Sequence, residues 1–543
     1  MNKKTNKVLL KRWVIPTVCF LLMLFIQSPV TAVSQMPVLT AVVNTSSGPV
    51  QGLVTNDIHT FKGIRYGAPP TGINRFLPPQ KPKPATGRID ATHYGAPAMQ
   101  MATGSSAEPT SDFGMLLRSV FPTPSELKID NEDCLFLNIW TPATGDNKNR
   151  PVMVWFHGGG FAYGSGGWPI YHGENLSRRG DVVVVTVNHR LNVFGYLHLA
   201  ELLGPEYESS GNVGMLDLIL ALEWIRDNIA AFGGNPGNVT IMGESGGGMK
   251  VSLLLAMPKA RGLFHKAVIQ SGPGLTAIPA DVATKNAKIV LANLGINDPN
   301  KDLARLWSVT AEELLAAVGN SGEMDFEPVI DGKVLPNHPF TPEAPEISAD
   351  IPVLIGFNKD EMTIFQVSEP WFGSLTEEQL QKQTATIPKG AELIEAFRKI
   401  HPDYSPTHIF TAISSTWATF DSYVLADRKA TQKKAPVYLY ELAWETPINN
   451  GVLRTPHTLE IAFMFDNVDK SQPLVGPGPE PQKLADQMSS AWIAFAKTGN
   501  PNTKEIPKWP AYDTTNRATM VFNLESKVIN NPYSTIRSIL SEK

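Results

Sequence analysis

Val239-Thr240-Ile241-Met242-Gly243-Glu244-Ser245-Gly246-Gly247-Gly248 is the stretch on which the reading of this chain turns. A β-rich run ends at Met242, a Gly-x-Ser-x-Gly follows, and 249–257 is apolar enough to be a buried helix. Strand, sharp turn and helix are the setting in which such a serine is lifted clear of a sheet, with a helix N-terminus behind it that favours negative charge. Small neighbours are needed there, because nothing bulky fits between the turn and the helix that follows. Taken alone the motif is as easily a Gly-rich connector with a surface serine. The flanking strand and helix favour a nucleophile at Ser245.

Outward from that turn the same alternation continues. Runs 132–140, 151–156, 181–187, 266–272, 352–356 and 437–441 read as strands, several of them apolar on both faces. Such runs belong to parallel strands covered by helices on each side. Between them, 214–232 has helical spacing, with Leu216, Leu220, Trp224, Ile225 and Ile229 on one face, and 482–497 is a late helix. Residues 280–319 read as helical with a break near Pro299, and 38–54 as a short hairpin. Alternating strands and helices give an α/β class with a large, mostly parallel sheet. No repeat and no Gly-, Ser- or Pro-rich linker splits the chain, so 33–543 is expected to be one domain with inserted segments. The stretch 101–129 is polar and aperiodic; a loop of that length in a compact domain is usually functional or mobile.

A serine hydroxyl is a weak nucleophile at neutral pH. It needs a base, the base needs an orienting acid, and the developing oxyanion needs donors. On a sheet of this type the acid and then the histidine follow the serine, each just past a strand. Gly356-Phe357-Asn358-Lys359-Asp360-Glu361 stands in the right place, and either Asp360 or Glu361 serves as the acid on this reading. His457, in Thr455-Pro456-His457-Thr458-Leu459-Glu460-Ile461, follows the last long strand. Upstream, His157-Gly158-Gly159-Gly160 follows a strand, and bare glycines let backbone N–H groups approach a ligand closely. No Lys-Ser/Thr follows it, which argues against a phosphate loop.

The first residues carry Lys3, Lys4, Lys7, Lys11 and Arg12 without an acid, then an apolar run over 13–26, then Val30-Thr31-Ala32. This is the pattern of a secretory signal peptide, 1–32, cut after Ala32, and the expected location is secreted or periplasmic. The apolar run is short against the ~20 residues that span a bilayer, so no stable membrane anchor is expected. The formal net charge of −4 becomes more negative once those cations leave, which argues against nucleic acid as a partner. Of the two cysteines, Cys19 leaves with the signal and Cys134 lies in an apolar run as a buried thiol. The sequence assigns no oligomeric state.

At this point a resemblance becomes specific. The chain resembles the type-B carboxylesterases, the carboxylesterase/cholinesterase family of α/β-hydrolases, over nearly all of its mature length. The matching motifs include Glu132-Asp133-Cys134-Leu135, the His157 glycine run, Asn188-His189-Arg190-Leu191, Gly211-Asn212-Val213-Gly214, Gly243-Glu244-Ser245, Asn358-Lys359-Asp360-Glu361, His457 with Glu460-Ile461, and Phe495-Ala496-Lys497-Thr498-Gly499-Asn500-Pro501. The resemblance implies an α/β-hydrolase fold with helical and loop insertions over the site. It implies Ser245 as nucleophile, Glu361 rather than Asp360 as acid, and His457 as base. Oxyanion donors are then Gly159, Gly160 and Gly246, with Glu244 and Ser271 lining or bracing the site. Arg75 with Glu132, and Arg190 with Asp217, match the family's structural ion pairs.

The chain also departs from that family. Gly246 stands where an alanine is usual, and His189 where a tyrosine is common. Ala98 takes the place of a cysteine that many members join to the position of Cys134. No tryptophan lies in 101–129 to support a choline cation, although Phe113 and Phe121 are candidates to line an apolar entrance. The implied activity is hydrolysis of a small-molecule carboxylic ester through an acyl-enzyme, with no metal and no organic cofactor. Amides, carbamates and long-chain lipid esters suit the same triad. A non-catalytic binding protein on this fold is the rival from another class. The retention of all three triad residues favours the enzyme.

Overall fold

The structure is a computed structural model that describes residues 38–101, 115, 127, 129–298, 301–319 and 326–541. The expected signal sequence, 1–32, and the loop aromatics Phe113 and Phe121 lie outside the described residues. The described residues form one compact unit around a twelve-stranded sheet.

In chain order the strands of that sheet are β1 (Val38–Leu39), β2 (Leu53–Thr55), β3 (Ile58–Arg65), β4 (Phe136–Thr141), β5 (Arg150–Phe156), β6 (Val183–Val187), β7 (Gly234–Glu244), β8 (Lys266–Gln270), β9 (Val353–Asn358), β10 (Val437–Leu442), β11 (Ala518–Phe522) and β12 (Lys527–Asn530). Their spatial order is β1-β2-β3-β4-β6-β5-β7-β8-β9-β10-β11-β12. The run from β6 to β11 is parallel throughout. The outer strands, β1 to β4 on one side and β12 on the other, pair antiparallel. A parallel core with antiparallel flanks is common in large doubly covered sheets.

The period of two explains why the central strands read as continuous apolar runs. Along β5, Val152, Val154 and Phe156 enter one hydrophobic core, while Met153 and Trp155 enter the other. Helix α1 (Val213–Asn228) and helix α2 (Gly246–Ala256) contribute to the first core, as does α3 (Thr416–Thr431). Helix α4 (Leu459–Met464) and α5 (Glu480–Thr498) build the second. Helices therefore cover both faces, and loops leaving the C-terminal ends of parallel strands gather on one edge. That edge is where open α/β sheets place their sites.

One difference from the sequence reading has a plain cause. The run 132–140 becomes strand only from Phe136, because Glu132 and Asp133 are drawn into ion pairs. Arg75 grips Glu132 at 2.7 and 2.5 Å, and Arg65 grips Asp133 at 2.5 and 2.7 Å. The helical reading of 280–319 holds in pieces, Ala280–Asn293 ahead of Leu303–Ser308 and Ala311–Val318, while Pro299 lies outside the described residues. The last of these starts at a reciprocal cap between Thr310 and Glu313. Cys134 is fully buried with a free thiol, whose pKa burial pushes well up.

Arg190 and Asp217 form the deepest charge pair, the guanidinium donating to both carboxylate oxygens at 2.9 and 2.7 Å. The backbone N–H of Arg190 adds a third bond at 3.0 Å. Asp217→Ala would leave a buried guanidinium without its partner, and is expected to cost about 3–5 kcal/mol of stability. The midpoint of urea unfolding measures this; a variant within about 1 kcal/mol of the parent would contradict it.

Candidate active site

Strand β7 delivers Ser245, and the backbone there is strained. Ser245 has φ 56° and ψ −126° between the end of β7 and the start of α2. The turn is this tight because three backbones converge on it. A Cβ on Gly247 would sit 2.1 Å from the Phe156 carbonyl oxygen, so only glycine lets β5 and α2 meet there. The Ser245 N–H donates to the Gln270 carbonyl at 2.8 Å, and its own carbonyl accepts the first helical bond, from Met249, at 3.0 Å. The residue is half-buried, and its hydroxyl makes no hydrogen bond among the described residues.

Strand β9 ends at Asn358, and the chain turns at once. Within this turn the adjacent acids face opposite ways. Asp360 accepts from the Tyr404 hydroxyl at 2.9 Å and lies 3.8 Å from Arg454. Glu361 instead meets His457: Nδ1 of the imidazole and Oε2 of the carboxylate are 2.5 Å apart. The other Glu361 oxygen accepts the Asn358 N–H at 2.7 Å, and the His457 N–H donates to the Glu361 carbonyl at 3.2 Å. Side chain and backbone therefore hold the imidazole in one orientation, and both residues are buried.

The far nitrogen, Nε2 of His457, lies 3.0 Å from Oε1 of Glu244, the residue immediately before the serine. That approach is close in distance, but it does not have hydrogen-bond geometry, and Glu244 Oε1 has no hydrogen-bond partner among the described residues. The structure thus brings Glu361, His457 and Glu244 together and puts Ser245 next in the chain. It does not join the serine hydroxyl to the imidazole. Hydrogen bonds of this kind are often long or misaligned in a free site and tighten when substrate arrives.

The electrostatics follow from burying one imidazole among three carboxyl groups. Burial opposes charging His457, but Glu244 and Glu361 outweigh it, and the pKa is pushed up to about 9. Burial holds Glu244 well above the ordinary carboxylate range, with His457 pulling the other way. Glu460 is pushed up to about 7 by burial and by the charge of Glu361.

The glycine run after β5 has Gly159 and Gly160 at φ 81° and 60°. Its carbonyls are engaged away from the site. Gly158 O faces His157 Nδ1 at 2.9 Å, and Gly159 O accepts from the N–H groups of Ala162 and Tyr163 at 3.1 and 3.2 Å. In a trans peptide the N–H points opposite to the carbonyl of the same unit, so the N–H groups of Gly159 and Gly160 are turned the other way. Gly246 opens α2, where the first N–H groups have no partner within the helix. Ser271, at the end of β8, is buried with φ 48°, and its hydroxyl has no partner among the described residues.

Sequence reasoning gave no role to three neighbours of the imidazole. Glu460 accepts from Gln270 Nε2 at 3.2 Å and from Asn358 Nδ2 at 2.5 Å, and so ties α4 to the strand ends on which the acid and the serine turn. Phe365 and Trp417 place rings 5.2 and 6.0 Å from that of His457. Phe365 lies four residues past Glu361, in the short helix Thr363–Gln366 that follows the turn; Trp417, on α3, has no local signal. Among the described residues no group of three or more His, Cys, Asp or Glu side chains is arranged to hold a metal ion.

With this geometry in view, similarity to known proteins is extensive. A profile of the carboxylesterase family matches residues 39–538. The chain is 37% identical to the para-nitrobenzyl esterase of Bacillus subtilis, over 92% of this chain and 98% of that one. It is 32% identical to the phenmedipham hydrolase of Pseudarthrobacter oxydans, over 88% of this chain and 94% of that one. Among solved structures, a carboxylesterase of Geobacillus stearothermophilus superposes with a TM-score of 0.78 at 36% identity, covering 92% of this chain and all of that one.

The charge arrangement around His457 predicts that its imidazole stays protonated above pH 6.5. In protein carrying 13C-labelled histidine, its resonance is expected to titrate above that value. Glu361→Gln removes a raising charge and should bring the midpoint down. A parent midpoint at or below 6.5 would refute the arrangement.

Proposed function

The chain belongs to the carboxylesterase family of α/β-hydrolases and is a carboxylic ester hydrolase; from that premise we propose that it works through an acyl-enzyme on Ser245. Carboxylesters supply the electrophile. Ser245 Oγ attacks the ester carbonyl carbon while Nε2 of His457 takes the hydroxyl proton. The new alkoxide-like oxygen is received by the N–H groups of Gly159, Gly160 and Gly246. As it collapses, His457 returns the proton to the departing alcohol. A water then repeats the sequence on the acyl-enzyme, releasing the acid and restoring Ser245.

The observation that carries this reading is the 2.5 Å contact between Glu361 and His457, set beside a serine on a strained turn at the head of a helix. Glu361 fixes the ring so that Nε2 faces the serine side, and offsets the imidazolium charge as it forms. For Nε2 to reach the hydroxyl, Glu244 must yield its place. Its departure removes one of the charges that hold the imidazole protonated, which supports a neutral ring able to take the serine proton.

Phe365 and Trp417 beside the imidazole support a small ester with an apolar or aromatic group. The basic 3–12 stretch and the apolar 13–26 run support export, with cleavage after Ala32. N-terminal sequencing of protein recovered outside the cytoplasm tests the export reading.

Replacing Ser245 with Ala is expected to lower kcat by about four to six orders of magnitude on p-nitrophenyl esters, because the covalent route is lost. Fluorophosphonate labelling of the parent, absent in that variant, is the matching chemical readout. Folded Ser245→Ala protein with ordinary turnover would remove the proposal. A panel of esters, amides and carbamates, graded by acyl length, separates the alternative substrate classes; parent protein inert to fluorophosphonate and to the whole panel would favour the binding protein.

A further inference from the structure

Lys250 is fully buried, five residues past Ser245 on α2, and the mechanism above gives it nothing to do. Its Nζ, whose pKa burial pushes down to about 7, donates to the His157 carbonyl at 3.0 Å and to the Gly160 carbonyl at 2.8 Å. The Phe161 ring centroid is 5.2 Å away. These two carbonyls bracket the turn that carries the N–H groups of Gly159 and Gly160. Charged groups felt at this site are Glu244 and Glu327, and the buried imidazoles of His157 and His189 stack at 4.8 Å beside it. Burial and Lys250 together push His157 down to about 3, so that ring stays neutral beside the lysine.

A buried ammonium is costly unless its hydrogen bonds are made. Here they are made to backbone oxygens rather than to a surface charge. The second observation comes from the other side of the same carbonyl. A Cβ on Gly246 would lie 2.1 Å from the Gly160 oxygen and 2.5 Å from its carbonyl carbon. The oxygen that Lys250 holds thus occupies the space an alanine at 246 would need.

We propose that Lys250 is a positioning residue of the oxyanion hole, clamping both ends of the glycine turn from behind, and that Gly246 is its necessary partner because only a residue without Cβ leaves room for the clamped carbonyl. The inference rests on the acyl-enzyme reading. Without the clamp the turn is free to rotate its peptide planes, and the donors lose the aim that makes them stronger toward a tetrahedral oxyanion than toward a flat ester.

The test compares Lys250→Met, Gly246→Ala and the double variant with the parent. The readouts are kcat and KM on a p-nitrophenyl ester, and affinity for a phenylboronic acid, whose serine adduct carries tetrahedral negative charge. Each single substitution is expected to lower kcat and boronate affinity by about tenfold to a hundredfold, with KM within about threefold. The double variant should lose no more than Lys250→Met alone, since a released carbonyl makes way for the new methyl. Unchanged kcat in folded Lys250→Met, or losses that multiply in the double variant, would overturn the clamp. If Lys250→Met does not fold, Gly246→Ala must by itself show the kcat and boronate losses, and ordinary turnover there overturns the proposal. Ser245→Ala is run alongside: activity surviving in it removes the acyl-enzyme reading as well, whereas its loss beside an active Lys250→Met removes only the clamp.

Discussion

A serine held at positive φ is the constraint on which this molecule is built. An L-residue in that conformation costs on the order of 1–3 kcal/mol, and it persists only where its surroundings leave no alternative. Here β5, β7 and β8 supply them. The neighbouring strand takes the Ser245 N–H through Gln270, the helix takes its carbonyl through Met249, and the glycines on either side let β5 press against α2. The parallel sheet is what aligns these strand ends on one edge, and its two apolar cores fix their spacing.

The same edge carries the charges, and their support reaches far into the fold. Trp492 on α5 donates to Gln270 Oε1 at 2.9 Å, Gln270 donates to Glu460, and Asn358 donates both to Glu460 and, through its backbone, to Glu361. The second core thus ends in a chain of hydrogen bonds that terminates on the acid facing His457. Every donor in that chain is buried, so a single missing link would leave an unpaired polar group where water cannot replace it.

Much of this was legible in the sequence because the relevant signals are local. Doubly covered parallel strands must be apolar on both faces, and a strand–serine–helix turn must be flanked by glycine. The choice between Asp360 and Glu361 was not legible from these residues alone. They are adjacent, equally acidic and both fully buried, and only the handedness of the turn sends one to Tyr404 and the other to His457. Resemblance to a family chose Glu361 where spacing could not. The helices over 363–431 and the last two strands, β11 and β12, escaped the reading for a related reason. Most of these segments are short, the long helix α3 is mixed in polarity, and packing against the sheet decides their form. Trp417 reaches His457 only through that packing.

The carboxyl groups around His457 also explain how a dry site tolerates a reaction that creates a cation. Three ionised carboxylates and one neutral imidazole would place three negative charges together in a low-dielectric space, an arrangement that burial and mutual repulsion forbid. A proton on the imidazole, on Glu244 or on Glu460 relieves it, and the upward shifts of all three groups express that. Glu361 faces His457 with one oxygen on the imidazole and one on a backbone N–H, so once the ring has given up its resting proton the proposed transfer from the serine exchanges a neutral ring beside a carboxylate for an ion pair. In this arrangement Glu244 is more than a neighbour of the nucleophile. Its carboxyl group stands 3.0 Å from the nitrogen that the proposed proton transfer needs, so the charge it carries bears directly on the basicity of that nitrogen.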